Sequence, residues 1–262
     1  MADDFFWYEL MTPDQAASRA FYEKVVGWTI ESMGTADAQG NSYLVLQAAG
    51  RGIGGMLQLT DDMQAGGARP AWMGYVHVAD VDTRVAAIEA AGGRKLMDPF
   101  EIPGVGRIAM VADPGGAVFY VMTPKPPEGA EPGPMPPAGT VGTCGWHELY
   151  SSLGDKGAMD FYSGQFGWET VSEFDMGGEM GVYRLFGHDG EQLGGMMKKP
   201  DQVPASFWNF YFFVDGIDAG TERLKAAGGQ VMMGPHEVPG GQWIVQAMDP
   251  QGAAFALLSN TK

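Results

Sequence analysis

Two short phrases hold the residue types best suited to acid–base chemistry. "WYEL" spans residues 7–10 and "WHEL" spans residues 146–149, so each places a glutamate two residues after a tryptophan. Burial among aromatic rings disfavours a carboxylate's charge and makes it a stronger base, so Glu9 and Glu148 are candidate catalytic residues. The alternative is that each is a hydrogen-bonded structural carboxylate inherited by both phrases.

Two histidines offer further proton-transfer groups. His77 shares a strand face with Tyr75 and is the third catalytic candidate, although a packed cavity histidine is the alternative. The strand face on which His147 lies depends on how the two phrases are aligned. If "WHEL" is aligned on "WYEL", His147 is equivalent to Tyr8 and lies on the face opposite Glu148, whereas a slip of one residue reverses that face.

Apolar and aromatic residues accompany these candidates. Strand alternation places Trp7 and Glu9 on one face, with Tyr8 and Leu10 on the other. Such residues suit a flat organic ligand, or simply fill a core. The predicted substrate-binding residues are Trp7, Tyr75, Tyr120, Trp146, Tyr211, Met56 and Met73.

Composition limits the partners of this protein. The 262 residues carry a net charge of −16, which repels nucleic acid and anionic membranes. The single Cys144 cannot form an intrachain disulfide, the N-terminus is acidic, and the aromatic run at 207–214 is too short to span a bilayer. We expect a cytoplasmic protein that contacts neither nucleic acid nor membrane.

The chain repeats itself. "FYEKVVGW" at 21 returns as "FYSGQFGW" at 161, and "GGM" at 54 returns at 194. "AAGG" and "DPxG" recur in the same order. A proline- and glycine-rich stretch separates the copies and is typical of an extended linker. The predicted domains are 3–123 and 143–260, joined by the linker 124–142.

Each half also contains two similar units. A strand over "FFWYELM" precedes a helix, for which Thr12 and Pro13 are the predicted N-cap and first-turn residues. The pattern restarts at "WMGYVHV", where Asp80 is the predicted cap of a second helix. Three short strands follow each helix, and the "DPGG" and "DPQG" phrases suit turns before the last strand. The chain therefore contains four βαβββ units, an α+β fold.

Paired βαβββ units, the "FY…GW" phrase and the "DPxG" turn resemble the vicinal oxygen chelate superfamily, which includes glyoxalases, bleomycin-resistance proteins and extradiol dioxygenases. The resemblance covers nearly the whole chain except the linker and is closest to the tandem, hydroxylase-like branch. It implies two domains, each an eight-stranded, incompletely closed cup flanked by helices.

Many members of that superfamily bind a divalent metal through His, Gln and Glu. The resemblance places the corresponding first-half positions at Trp7, Met73 and Tyr120, with only Gln58 nearby as an oxygen donor. In the second half the most favourable count gives His147, Asn209 and Ala256. These residues make a poor ligand set for a divalent metal, so no metal and no other cofactor is predicted.

We therefore predict a protein that acts on, or binds, a small planar organic molecule without a metal, as a lyase, isomerase or hydroxylase-like enzyme. One alternative is a non-catalytic sequestration protein similar to bleomycin-resistance proteins, and another is a divalent-metal enzyme. Because related proteins often pair such units as dimers, we expect a monomer with an internal pseudo-dimer, with a homodimer as the alternative.

Overall fold

A computed structural model describes residues 3–34, 42–127, 129 and 136–262. Among these residues, the first half contains eight strands and three helices. In chain order they are β1 Phe5–Thr12, α1 Gln15–Val25, β2 Thr29–Ser32, β3 Leu44–Ala48, β4 Arg51–Gln58, α2 Asp61–Ala65, β5 Ala71–His77, α3 Val81–Ala90, β6 Arg94–Ile102, β7 Gly106–Ala112 and β8 Val118–Pro124.

The second half repeats this order with two helices and a short 3-10 turn at Gly178–Met180. Its elements are β9 Cys144–Ser151, α4 Gly154–Phe166, β10 Glu169–Asp175, β11 Val182–His188, β12 Glu191–Lys198, β13 Phe207–Phe213, α5 Ile217–Ala226, β14 Gln230–Glu237, β15 Trp243–Met248 and β16 Ala254–Ser259.

Each half makes one mixed eight-stranded sheet. The strand orders are β2-β3-β4-β1-β5-β8-β7-β6 and β10-β11-β12-β9-β13-β16-β15-β14. The two orders match position for position, so the four βαβββ units and the α+β class predicted from the sequence are confirmed. The short helix α2 is an addition that the sequence pattern did not predict.

Of the two helix caps predicted from the sequence, the structure confirms that of α3 and corrects that of α1. Asp80 caps α3 as predicted, because its carboxylate accepts a 2.7 Å hydrogen bond from the Thr83 amide. The prediction for α1 was wrong: the cap is Asp14, which accepts from the Ala17 amide at 2.9 Å. Thr12 belongs to β1, where its hydroxyl bonds Ser18.

The strand register settles how "WHEL" aligns. Tyr8 is paired with Gly54 where β1 runs parallel to β4, and His147 is paired with Gly194 where β9 runs parallel to β12. Gly54 and Gly194 open the two "GGM" phrases. His147 is therefore the structural equivalent of Tyr8, and the one-residue difference lies in the loop that follows the strand.

Contacts between residues divide the chain into two compact units. Unit one comprises the described parts of Met1–Phe6, Met73–Pro132 and Trp146–Asn209, and unit two those of Trp7–Trp72, Gly133–Gly145 and Phe210–Lys262. Each unit thus draws residues from both halves of the chain. The domain boundaries at 3–123 and 143–260 stay a prediction, and part of the predicted linker, 128 and 130–135, lies outside the described residues.

Unit two is centred on a buried hydrogen-bonded chain. Trp72 Nε1 donates to the Tyr22 hydroxyl at 2.9 Å, and that hydroxyl donates to Asp249 Oδ2 at 3.0 Å. Asp249 also accepts the Ala253 amide within the "DPQG" turn. Burial raises the pKa of both Tyr22 and Asp249, so Tyr22 keeps its proton.

Unit one contains the matching chain. Trp208 Nε1 donates to Tyr162 at 3.0 Å, and the Tyr162 hydroxyl lies 3.2 Å from Asp113 Oδ2. Each chain, hereafter a Trp–Tyr–Asp chain, joins the tyrosine of an "FY" phrase to the aspartate of a "DPxG" turn. The tyrosines and aspartates of the phrases that indicated the superfamily are therefore buried, and they hold helices against the sheets.

Two further observations concern the rest of the chain. No helix within the described residues is both long and apolar enough to cross a bilayer. The end of the predicted linker is packed, because Gly142 accepts a 2.7 Å hydrogen bond from Trp28 Nε1 and donates to the Phe213 carbonyl.

Candidate functional site

In unit two, Glu9 accepts the last hydrogen bond of a second kind of hydrogen-bonded chain. Trp7 Nε1 donates to the Tyr43 hydroxyl at 3.1 Å, and that hydroxyl donates to Glu9 Oε2 at 2.9 Å. Only 4% of Glu9 is exposed, whereas Trp7 and Tyr43 are half-buried. A buried carboxylate thus lies beside two rings that water or a ligand can reach.

Glu148 has the same surroundings in unit one. Trp146 Nε1 donates to Tyr183 at 2.9 Å, and Tyr183 donates to Glu148 Oε1 at 2.9 Å. Burial, with the charge of Glu148, raises the pKa of Tyr183 well above its ordinary value. Tyr183 therefore keeps its proton and donates the hydrogen bond that orients the Glu148 carboxylate. We call these two arrangements the Trp–Tyr–Glu chains.

Glycine makes room for each tyrosine of these chains. A Cβ on Gly55 would collide with the Tyr43 ring, and a Cβ on Gly195 would collide with the Tyr183 ring. Both rings therefore lie flat against the neighbouring strand. This explains the second glycine of each "GGM" phrase, which is needed for close approach of a side chain.

Tyr43 and Tyr183 were missed by the sequence interpretation. A signal was available, because each lies eleven residues before the first glycine of its "GGM" phrase. Alternation along one strand cannot show which side chain on a neighbouring strand reaches a carboxylate, so the repeat was the only indication of these partners.

His147 belongs to the packed side of its strand. Its ring stacks on Phe5 with centroids 4.9 Å apart, and Nδ1 lies 2.7 Å from the Leu193 carbonyl. Burial lowers the pKa of His147 to about 4. The ring is thus neutral and part of the core, in agreement with the alignment on Tyr8.

His77 lies at the end of β5 in unit one. Its Nδ1 is 3.8 Å from Asp3 Oδ1 and has no hydrogen-bond partner within the described residues. Burial lowers the pKa of His77, although the charge of Asp3 opposes this change. His77 is therefore predominantly neutral near pH 7, and its catalytic role stays a prediction.

The predicted substrate-binding residues are distributed over several environments. Tyr75 and Tyr120 stack with centroids 4.3 Å apart and an interplanar angle of 12°. Tyr211 is buried and accepts a 2.6 Å hydrogen bond from Gln246. Met56 is fully buried and Met73 nearly so, which is typical of core packing. Trp7 and Trp146 belong to the Trp–Tyr–Glu chains.

The residues present do not match a divalent-metal site. Within the described parts of the chain, no three His, Cys, Asp or Glu side chains lie close enough to hold an ion. Gln58, the oxygen donor nearest to the expected positions, is engaged by the start of α1: it bonds the Gln15 amide and the Pro13 carbonyl. No catalytic step is therefore assigned to a metal.

Comparison with known proteins identifies the class. The profile of the Glyoxalase/Bleomycin resistance protein/Dioxygenase superfamily matches residues 5–121 and 156–257. The chain belongs to this superfamily, which confirms the resemblance found in the sequence.

Two relatives align with this chain over nearly their whole length. The chain is 30% identical to the Mycobacterium tuberculosis protein CFP32, which carries a provisional glyoxylase name, over 96% of this chain and 93% of the relative. It is also 30% identical to the anthracycline biosynthesis protein DnrV of Streptomyces peucetius, over 96% and 91%. The similarity therefore extends over nearly the whole length of both relatives.

Solved structures support the fold alone. A Mn(II)-bound glyoxalase from Novosphingobium aromaticivorans superimposes with a TM-score of 0.66 at 19% identity, covering 100% of this chain and 83% of that one. The 2,3-dioxygenase LapB from Pseudomonas sp. KL28 gives 0.65 at 13% identity, with 99% and 92% covered. At these identities neither enzyme's chemistry is transferred to this chain.

Proposed function

We propose that this protein binds a small, planar organic molecule and acts on it without a bound metal, using Glu9 or Glu148 for proton transfer. The observation that carries the proposal is the Trp–Tyr–Glu chain, present once in each half. A nearly buried carboxylate, oriented by a tyrosine and flanked by a half-buried tryptophan, provides the base and an aromatic surface for the ligand.

The chemistry open to such a carboxylate is proton transfer. It takes a proton from a carbon next to a ligand carbonyl, and the electron pair moves onto that carbonyl as an enolate. Return of the proton to another carbon completes an isomerisation. Loss of a leaving group from the neighbouring carbon completes an elimination, as a lyase requires. Neither reaction consumes an oxidant.

The relatives favour a planar, polycyclic ligand. DnrV carries the name anthracycline biosynthesis protein, and anthracyclines contain a hydroxylated anthraquinone ring system. Half-buried aromatic side chains bind such ring systems by stacking. Hydroxyanthraquinones are therefore the first ligands to test.

The test compares Glu9→Gln and Glu148→Gln with the wild type. Binding of 2,6-dihydroxyanthraquinone is measured by tryptophan fluorescence, and turnover of a panel of reduced and hydroxylated anthraquinones by liquid chromatography coupled to mass spectrometry, which also separates isomers of equal mass. The enzyme proposal predicts that one variant retains affinity and loses at least about 100-fold in rate, the usual contribution of a general base. Turnover unchanged in both variants and in their combination would contradict it.

A second candidate is a non-catalytic binding protein. It is favoured by the equal geometry of the two chains, because an inherited structural carboxylate would be repeated as faithfully as a catalytic one. Stoichiometric ligand binding with no turnover by the wild type would support this candidate.

We also propose that the chain is monomeric, with its two halves forming an internal pseudo-dimer. Support comes from the two compact units, each of which combines segments of both halves as two subunits would. Light scattering coupled to size-exclusion chromatography tests this, and a mass near twice 28.0 kDa would indicate the homodimer instead.

A further inference from the structure

Asn209 is a buried polar residue whose carbonyl lacks a partner. Only 3% of the residue is exposed, and its Oδ1 is buried without a hydrogen bond within the described residues. Such an atom is costly to bury, so a native protein that keeps one often uses it for a ligand or an ordered water. Asn209 lies in unit one, as do Trp146, Glu148 and Tyr183.

Strand alternation places Asn209 on the same face as Glu148. Its neighbour Trp208 bonds Tyr162 in the helix-packed core, so Asn209 and Phe207 face the other way. Phe207 stacks on Tyr150, with centroids 5.0 Å apart and an interplanar angle of 11°. Tyr150 is two residues from Glu148 and therefore shares its face.

The direction of the strands brings Glu148 and Asn209 opposite each other. The amide of Phe213, at the end of β13, donates a 2.9 Å hydrogen bond to the carbonyl of Thr143, just before β9. The two neighbouring strands are therefore antiparallel. One step of two residues along each strand from the stacked Tyr150 and Phe207 leads to Glu148 and Asn209.

Half-buried aromatic residues surround this carboxylate and amide. Trp146, Tyr150, Tyr183 and Phe207 are each partly exposed, whereas Glu148 and Asn209 are 6% and 3% exposed. A planar ligand that stacks on the rings would direct its polar substituents toward the buried pair. We call these six residues the second-half floor.

The first half has different residues at the positions equivalent to Asn209 and to the stacked pair. Aligning the repeated strands puts Met73 at the position of Asn209, Met11 at that of Tyr150 and Ala71 at that of Phe207. The first half therefore has neither the amide nor the stacked pair. The Trp–Tyr–Glu chain is the feature that Glu9 shares with Glu148.

We propose that the second-half floor is the ligand site, and that Asn209 selects planar aromatic ligands bearing a hydroxyl group. This rests on the proposed function. The ligand hydroxyl donates to Asn209 Oδ1, which turns toward it about χ2, a soft terminal torsion. Glu148 accepts a proton or hydrogen bond from the adjacent polar group. Asn209 is thus a specificity-determining residue that leaves proton transfer to Glu148.

The experiment measures selectivity by calorimetry. The probes are 2,6-dihydroxyanthraquinone, whose hydroxyls are not bonded to its own carbonyls, and unsubstituted anthraquinone, titrated into wild type, Asn209→Met and Asn260→Leu. Methionine is the residue that the first half uses at this position, so Asn209→Met is expected to keep or raise the melting temperature. If Asn209→Met lowers the melting temperature instead, Asn209→Ser is used as a second variant. Asn260 is exposed, and its change to leucine controls for the loss of an amide.

We expect the wild type to bind one dihydroxy probe per chain, at least tenfold more tightly than anthraquinone. Asn209→Met should remove that preference by weakening only the dihydroxy probe, and Asn260→Leu should leave it intact. If wild type binds neither probe, the proposed function and this inference both fail. If it binds them but Asn209→Met and Asn209→Ser keep the preference, or two probes bind per chain, this inference alone is overturned.

Discussion

Tyr183 donates a 2.9 Å hydrogen bond to Glu148, and the tyrosine at the equivalent position of the first half makes the same bond to Glu9. A carboxylate held in this way has a fixed orientation before any ligand arrives. That orientation is the part of the candidate site that depends most directly on a single atom, the tyrosine hydroxyl oxygen.

Removal of that oxygen is the first prediction. Tyr183→Phe deprives Glu148 of a donor and the Trp146 indole of an acceptor, so the free energy of unfolding should fall by about 1 to 3 kcal/mol. Urea denaturation measures this fall. Tyr43→Phe should cost a similar amount, because the geometry of its chain is the same.

The ligand response of the same two variants should differ. If the second-half floor is the site, Tyr183→Phe lowers affinity for 2,6-dihydroxyanthraquinone several-fold, and calorimetry on the folded variants detects this. An affinity loss that follows Tyr43→Phe alone would move the ligand site to the first half.

The second prediction concerns the buried Trp–Tyr–Asp chains. Tyr22→Phe leaves Asp249 and the Trp72 indole each short of one hydrogen bond, so it should lower the free energy of unfolding by about 1 to 3 kcal/mol. A double-mutant cycle with Asp249→Asn should show coupling of at least about 0.5 kcal/mol. Additive effects would indicate that the 3.0 Å contact contributes no stability.

The third prediction is a pH dependence caused by His147. Its pKa is lowered by burial from 6.5 to about 4, so the unfolded chain binds a proton between these values while the folded chain does not. Stability from this group is complete above about pH 6.5 and is lost as pH falls toward 4. The shift corresponds to about 3 kcal/mol.

Replacement of the titrating ring tests that dependence. His147→Tyr introduces the residue that stands at the equivalent position of the first half, and it should flatten the loss of stability between pH 6.5 and 4. His236→Gln, at an exposed position, should leave the slope as it is in the wild type. Equal slopes in all three proteins would assign the acid sensitivity to other groups.

The fourth prediction concerns metals. The positions that the resemblance assigns to metal ligands in the first half are Trp7, Met73 and Tyr120, so we expect protein purified without chelators to contain well under one equivalent of Mn, Fe, Ni or Zn. Elemental analysis measures the content. Addition of these ions should not raise the melting temperature. One tightly held equivalent that stabilises the protein would restore the metal-enzyme alternative.

Local patterns in the sequence were sufficient for the elements and their faces. Alternation correctly separated Glu9 from Leu10, and the Asp80 cap followed from its place before a helical run. The cap of α1 was misplaced because Thr12, Pro13 and Asp14 all suit a helix start, and only the backbone shows that Thr12 still belongs to the strand.

Those local patterns could not predict contacts between segments that are far apart in the sequence. The carboxylates at 9 and 148 were recognised, but Tyr183 lies on another strand and Tyr43 directly before one, at separations along the chain that a single-strand pattern does not encode. Likewise, nothing in the "FY" phrase indicates that Tyr22 bonds Asp249 in the other half. Such pairings arise from how helices pack on sheets after the elements have formed.

The bond between Tyr22 and Asp249 joins residues 227 positions apart, and Phe21 and Tyr22 both pack on Phe255. A ribosome adding about 5 to 20 residues per second needs roughly 11 to 45 s to synthesise that interval. For all of that time the apolar side of α1 is without the segment that covers it. The apolar side of α1 is therefore left uncovered for longer during synthesis than in a protein whose halves fold one after the other.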